Sequence, residues 1–179
     1  MKIQIRIAGT GGMGVVLAGV IVGHAAAVHG NLNVVQSQSY GSEARGTAAK
    51  SEVIISDEAI HYPKVQSSDL LIVMSQKALE MYIEGAKKGS VVLIDPALVD
   101  SSSIEGEYEI IPIPAMKTAD ELGQRIVSNM VMLGALIKKS GIYSIETLEK
   151  AVADMVSSKY LEINIKAIRA GAELIGHHE

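Results

Sequence analysis

A chain of 179 residues builds one sizeable core and is too short for two comfortable domains, so residues 1–179 are read as a single domain. A formal net charge of −4 without any block of like charge argues against a nucleic-acid partner. The absence of Cys excludes disulfides, thiolate nucleophiles and any iron–sulfur cluster held by this chain, and the absence of Trp and Phe leaves the core to Ile, Val, Leu, Ala and Met.

The chain opens on an alternating run, Ile3, Ile5 and Ile7, which reads as a strand over Lys2–Ala8. No separate apolar signal region precedes it, so the expected location is the cytoplasm. Gly9-Thr10-Gly11-Gly12-Met13-Gly14 follows, with the G-x-G-x-x-G spacing, and leads into a small-residue helix that extends to His29. This strand–loop–helix context suits a phosphate: glycines permit the tight turn, and the helix N-terminus offers free N–H groups and a positive dipole end. Gly9, Gly11, Gly12 and Gly14 are therefore candidate cofactor-binding positions. The plainer alternative is that they only let strand and helix pack closely. The run Val15–Val28 is too short to span a bilayer and reads as a buried helix, so no membrane partner is expected. Being apolar on all sides, it needs cover from other layers or from a partner.

A second strand is expected over Asn33–Ser37. A dinucleotide site places an Asp or Glu roughly 20 residues past the glycines. No acidic residue occurs here before Glu43, so the fold signal survives while the nicotinamide signal fails. Tyr40–Gly46 reads as a loop carrying Tyr40, Gly41, Glu43, Arg45 and Gly46 toward a ligand or a neighbouring subunit, because it combines a ring, an acid and a guanidinium with two glycines that let the backbone bend. Ala48–Ile55 is a strand. Ser56-Asp57-Glu58 is a turn into Ile60-His61-Tyr62-Pro63, which together suggest a hairpin.

Asp69–Ser75 is a near-continuous apolar run, as expected of a parallel strand covered on both faces. A helix over Gln76–Lys88, closed by Gly89, leads to a buried strand over Ser90–Asp95. Asp100–Gly106 is a surface loop and Tyr108–Ile113 a further strand. Thr118 with Glu121 has the spacing of a capping box, opening a helix with the stripe Leu122, Ile126, Met130, Leu133 and Ile137. Ser144 caps a helix carrying Ile145, Leu148, Val152 and Met155, and a last helix covers Leu161–Ile175. The fold expected is a three-layer α/β domain: a mostly parallel sheet, helices on both faces, one hairpin and a helical C-terminal third. His24 reads as a buried, satisfied histidine, and His177-His178-Glu179 as a frayed tail rather than a metal site.

Gly-x-Gly-Gly-x-Gly-Val near the N-terminus, Ser-Tyr-Gly-x-Glu-Ala-Arg-Gly after it and Asn129-Met130-Val131-Met132-Leu133-Gly134-Ala135 on the late helix together resemble the gamma subunit of 2-oxoacid:ferredoxin oxidoreductases. The short Ile111-Pro112 segment fits as well. The resemblance implies an enzyme that decarboxylates a 2-oxoacid on thiamine diphosphate, passes electrons through iron–sulfur clusters to ferredoxin, and releases an acyl-CoA. It implies that thiamine diphosphate and the clusters sit in partner alpha, beta and, in some members, delta subunits, with CoA as co-substrate. No cofactor is then bound by this chain alone, no catalytic residue is assigned to it, and the isolated chain is expected to be inactive and to form a homodimer. The 2-oxoacid expected is 2-oxoglutarate, with pyruvate and branched-chain 2-oxoacids as the other substrates of such enzymes. Two positions depart from the family pattern: Met13 stands where Gln is usual, and Thr47 where a second glycine follows the arginine. The competing readings are a stand-alone nucleotide- or flavin-binding α/β protein and a pure assembly module.

Overall fold

A computed structural model describes residues 1–40 and 48–176. Six strands form one sheet: β1 (Lys2–Thr10), β2 (Asn33–Ser39), β3 (Ala48–Ser56), β4 (Ser68–Val73), β5 (Ala86–Ile94) and β6 (Glu109–Pro112), in the order β2-β3-β1-β4-β5-β6. β1, β4, β5 and β6 run parallel to one another, while β3 is antiparallel to both β1 and β2. The hairpin is therefore β2–β3, with Ser39 opposite Lys50. The expected hairpin over Ala48–Pro63 is not formed, because β3 spends both its edges on β1 and β2 and Ile60–Pro63 joins no strand. An apolar alternation marks a strand and a face but does not name its partner.

Among the described residues six α-helices complete the layers: α1 (Val15–His24), α2 (Gln76–Tyr82), α3 (Ala115–Glu121), α4 (Ser128–Ser140), α5 (Ile145–Met155) and α6 (Ser158–Gly176). Alternate residues of the strands divide between two cores. Ile5, Ile7, Val53, Ile55, Leu70 and Ile72 face α1 and the C-terminal helices. Ala8, Leu71, Val73, Val92 and Ile94 face Ala78 and Leu79 of α2. This second face also buries charge. Glu52 accepts from Arg6 at 3.2 Å and pairs with Lys50 at 2.7 Å, and both cations lie within 6 Å of the centre of the Tyr82 ring, at 5.7 and 5.5 Å.

α1 is mostly enclosed, as its composition requires, yet Leu17 reaches the surface at 42% exposure, and Val28, in the turn that follows α1, at 60%. Ser144 caps α5 as expected, its hydroxyl accepting from the Thr147 N–H at 3.2 Å. Two expected helices differ. The segment after α2 turns into strand at Ala86, where Ser68 pairs with Ala86 and a register irregularity follows, so Lys87 and Lys88 belong to β5. Thr118 lies inside α3 rather than at its start, and Gly123, at φ 90°, ends that helix before α4 begins. The stripe is thereby split, and Ile126 is left 77% exposed. No described helix is long and apolar enough to cross a membrane.

Candidate functional site

β1 and β4 are adjacent parallel strands whose helices pack on opposite faces, α1 on one and α2 on the other. The crevice beyond their carboxyl ends is where ligands of open α/β sheets commonly bind. The glycine loop lies there, but its positions have different jobs. A Cβ on Gly9 would meet Met13 Sδ at 3.1 Å and Met74 Cβ at 3.2 Å, so this glycine serves packing. Gly14, at φ 70°, precedes α1, and a Cβ there would collide with the Asn129 amide. Gly11 and Gly12 face open space. Met13 turns back into the loop, where its sulfur accepts from the Thr10 hydroxyl at 3.4 Å. Met13 and Met74 thus pack against Gly9 near the end of β1.

Asn129, at the start of α4, explains how the loop is held. Its Nδ2 donates to the Gly14 carbonyl at 3.2 Å, and its Oδ1 accepts from the Met130 N–H at 2.9 Å. Residues 115 apart in sequence are fixed together by one amide that is 4% exposed.

Two hollows flank the loop. One, of about 480 Å³, is lined by Gly12, Leu17, Ile126, Met130, Tyr160 and Ile163, among others. Both of its asparagines are engaged within the fold: Asn129 as above, and Asn164, whose Nδ2 donates to the Tyr160 carbonyl at 2.8 Å. Leu17, Ile126 and Tyr160 are 42%, 77% and 48% exposed, an apolar cluster at the mouth of this hollow. The other hollow, of about 370 Å³, runs from Gly11 and Gly12 along Val15 and Val16 to Tyr40 and Ala49. No charged side chain lines either hollow among the described residues. α1 carries no acidic residue in its first turn and no side-chain cap, so its leading N–H groups have no side-chain acceptor.

Of the expected interface residues, Tyr40 is 67% exposed and lies across the second hollow from the glycine loop. Gly41, Glu43, Arg45 and Gly46 lie outside the described residues. Other polar residues prove structural. Asp95 is 1% exposed and accepts from Ala97 and Met116 N–H groups at 3.0 and 2.9 Å, anchoring the start of α3. Arg125 forks onto Asp120 at 2.9 and 2.7 Å and holds that carboxyl below its ordinary range. Sequence reasoning missed the apolar hollow, whose residues come from three separate segments. The one available signal was Gly123, which breaks the late helix and turns Ile126 outward.

The model of the pyruvate ferredoxin/flavodoxin oxidoreductase family matches residues 4–174. The 2-oxoglutarate synthase subunit KorC of Methanothermobacter thermautotrophicus is 47% identical over 178 residues, covering 96% of this chain and 94% of that protein. A keto/oxoacid ferredoxin oxidoreductase gamma subunit from Geobacter sulfurreducens superposes with a TM-score of 0.88 at 40% identity, covering 98% and 99% of the two chains. The 2-oxoglutarate:ferredoxin oxidoreductase of Magnetococcus marinus, solved with 2-oxoglutarate, coenzyme A and succinyl-CoA bound, also gives 0.88, at 27% identity. There the match covers 98% of this chain but 31% of the longer one.

Proposed function

The chain belongs to the pyruvate ferredoxin/flavodoxin oxidoreductase family, as a gamma subunit of a 2-oxoacid:ferredoxin oxidoreductase, and on that premise we propose that it is the non-catalytic assembly subunit of a cytoplasmic enzyme acting on 2-oxoglutarate. The observation that carries the assembly role is the apolar hollow beside the glycine loop. Leu17, Ile126 and Tyr160 expose to water a cluster that a partner subunit would cover. That partner is the part of the enzyme that handles the 2-oxoacid. In the Magnetococcus marinus enzyme this fold is one section of a longer chain, so the domain there has covalently attached neighbours.

Thiamine diphosphate and the iron–sulfur clusters belong, in this reading, to partner subunits. The donor set agrees for the clusters: they are held by thiolates, and the chain has no Cys. CoA is assigned to the rim where Tyr40 faces Gly11 and Gly12, with Glu43 and Arg45 following in sequence. The apolar hollow at Leu17, Ile126 and Tyr160 drives self-association when partners are missing. The nucleotide-binding alternative is disfavoured because, among the described residues, no acidic side chain lines either hollow to hold a ribose.

Reconstitution with the catalytic subunits tests the reading. Viologen reduction dependent on 2-oxoglutarate and CoA should need both this chain and its partners. The chain alone should give none, and 2-oxoglutarate should give the highest kcat/KM in a panel of 2-oxoacids. Arg45→Ala in the assembled enzyme should raise the apparent KM for CoA or weaken assembly without changing the chain's melting temperature. Activity of the chain by itself would overturn the non-catalytic assignment, and preference for another 2-oxoacid would overturn the substrate.

A further inference from the structure

A second cluster lies away from the glycine loop, where the first helix ends. α1 does not stop at His24 but widens into a π turn over Ala25–His29. Its closing bond runs from the Gly30 N–H to the Ala25 carbonyl, five residues back, at 2.9 Å. Single π turns within helices concentrate at functional sites. On a regular α-helix, residues five apart point about 140° away from each other. The widened turn instead brings His24 and His29 to one side, with ring centroids 5.9 Å apart and edge to face. Both Nε2 atoms meet the same carboxylate oxygen of Asp154 on α5, at 3.0 and 2.6 Å. The three ligand atoms all lie within 4.8 Å of one another. We infer that His24, His29 and Asp154 form a site for a divalent transition-metal ion, with Zn²⁺ the expected occupant, that clamps the end of the first helix to α5.

Two imidazoles and one carboxylate are a donor set suited to Zn²⁺ and its transition-metal neighbours, whereas Mg²⁺ and Ca²⁺ favour oxygen donors throughout. A tetrahedral Zn²⁺ with bonds of about 2.0–2.1 Å sets its ligand atoms about 3.3 Å apart. The Nε2–oxygen distances of 2.6 and 3.0 Å therefore need to open slightly, and the two imidazoles to close. The Asp154 side chain is 44% exposed and the imidazoles 30% and 22%, so these rotations disturb little packing. Without metal, Asp154 serves as a shared acceptor, and bonds from His24 first and His29 second hold its carboxyl below the ordinary range. An ion binds the unprotonated Nε2 of an imidazole, so protons compete with it and binding weakens in acid. Three protein ligands leave at least one coordination position on the solvent side.

The experiment is titration of the full chain with Zn²⁺ by calorimetry and with Co²⁺ by visible absorption. It is done in a His177→Gln/His178→Gln background so that the terminal histidines supply no ligand. One ion per chain, a Co²⁺ ligand-field band and a higher melting temperature with Zn²⁺ are expected, with no response to Mg²⁺. His29→Gln and Asp154→Asn should each weaken binding by about tenfold or more and abolish the thermal shift. No stoichiometric Co²⁺ band would overturn the site, whether or not the variants fold. Unchanged affinity in folded His29→Gln and Asp154→Asn chains would overturn it equally.

Discussion

The crossing of α4 with α6 and the hollow at the glycine loop are built from the same two helices, yet one is closed and the other open. At the crossing, a Cβ on Gly134 would strike the Ile168 carbonyl, and one on Gly171 the Val131 carbonyl. Backbone lies on backbone there, with no side chain between. At the hollow, Met130 of α4 and Tyr160 and Ile163 of α6 stand apart, with Leu17 and Ile126 along the rim. Both regions are rich in apolar atoms. They differ in whether the fold itself completes the packing, and only the incomplete one is available to a partner.

The largest effect is expected at the closed region. Gly134→Val forces two helix backbones apart and should cost about 3 kcal/mol or more, enough to lose the cooperative melt seen by circular dichroism. An unaltered melt would mean the crossing is loose. Asn129 links the two regions. Asn129→Ala leaves the Gly14 carbonyl with only the Ala18 N–H as donor and the Met130 N–H without its side-chain acceptor, and should cost about 1–3 kcal/mol by denaturant midpoint.

A smaller effect is expected where Tyr143 donates to the Val22 carbonyl at 3.0 Å, so Tyr143→Phe should cost about 1 kcal/mol. Burial raises the Tyr143 phenol above its ordinary value of 10.0. Its contribution is thus complete below the unfolded value, near pH 10, and falls away as pH rises toward the higher folded value. The alkaline loss of stability should be shallower in Tyr143→Phe. The smallest effect on the chain itself belongs to the open region. Ile126→Asp should change stability by no more than about 0.5 kcal/mol, because the side chain is 77% exposed, while removing self-association in sedimentation.

Much of this arrangement is legible in the sequence. Continuous apolar runs such as Leu70–Val73 declare buried parallel strands, Ser144 declares a helix start, and the glycines after β1 declare the loop. The partner of β3 is not legible, since alternation gives a face and not a neighbour. Nor is the true start of α4: Thr118 and Glu121 imitate a cap, while Gly123 supplies the stop that matters. Gly134 is visible as a residue but its reason is not, because Ile168 approaches it only through the tertiary crossing. The candidate site was half visible. Tyr40 and the glycine loop could be named, whereas the hollow gathers Leu17, Ile126, Met130 and Tyr160 from distant segments, and Asp154 reaches His24 across 130 positions.

Hydrogen exchange of the chain alone and within the reconstituted enzyme separates a covered hollow from an open one. Assembly should slow exchange around Leu17, Ile126–Met130 and Tyr160–Ile163, while the already closed segment around Gly134 and Ile168 changes little. Ile126→Asp should abolish the protection together with the complex. Stable assembly that leaves the hollow exchanging as in the free chain would contradict coverage of the hollow by a partner.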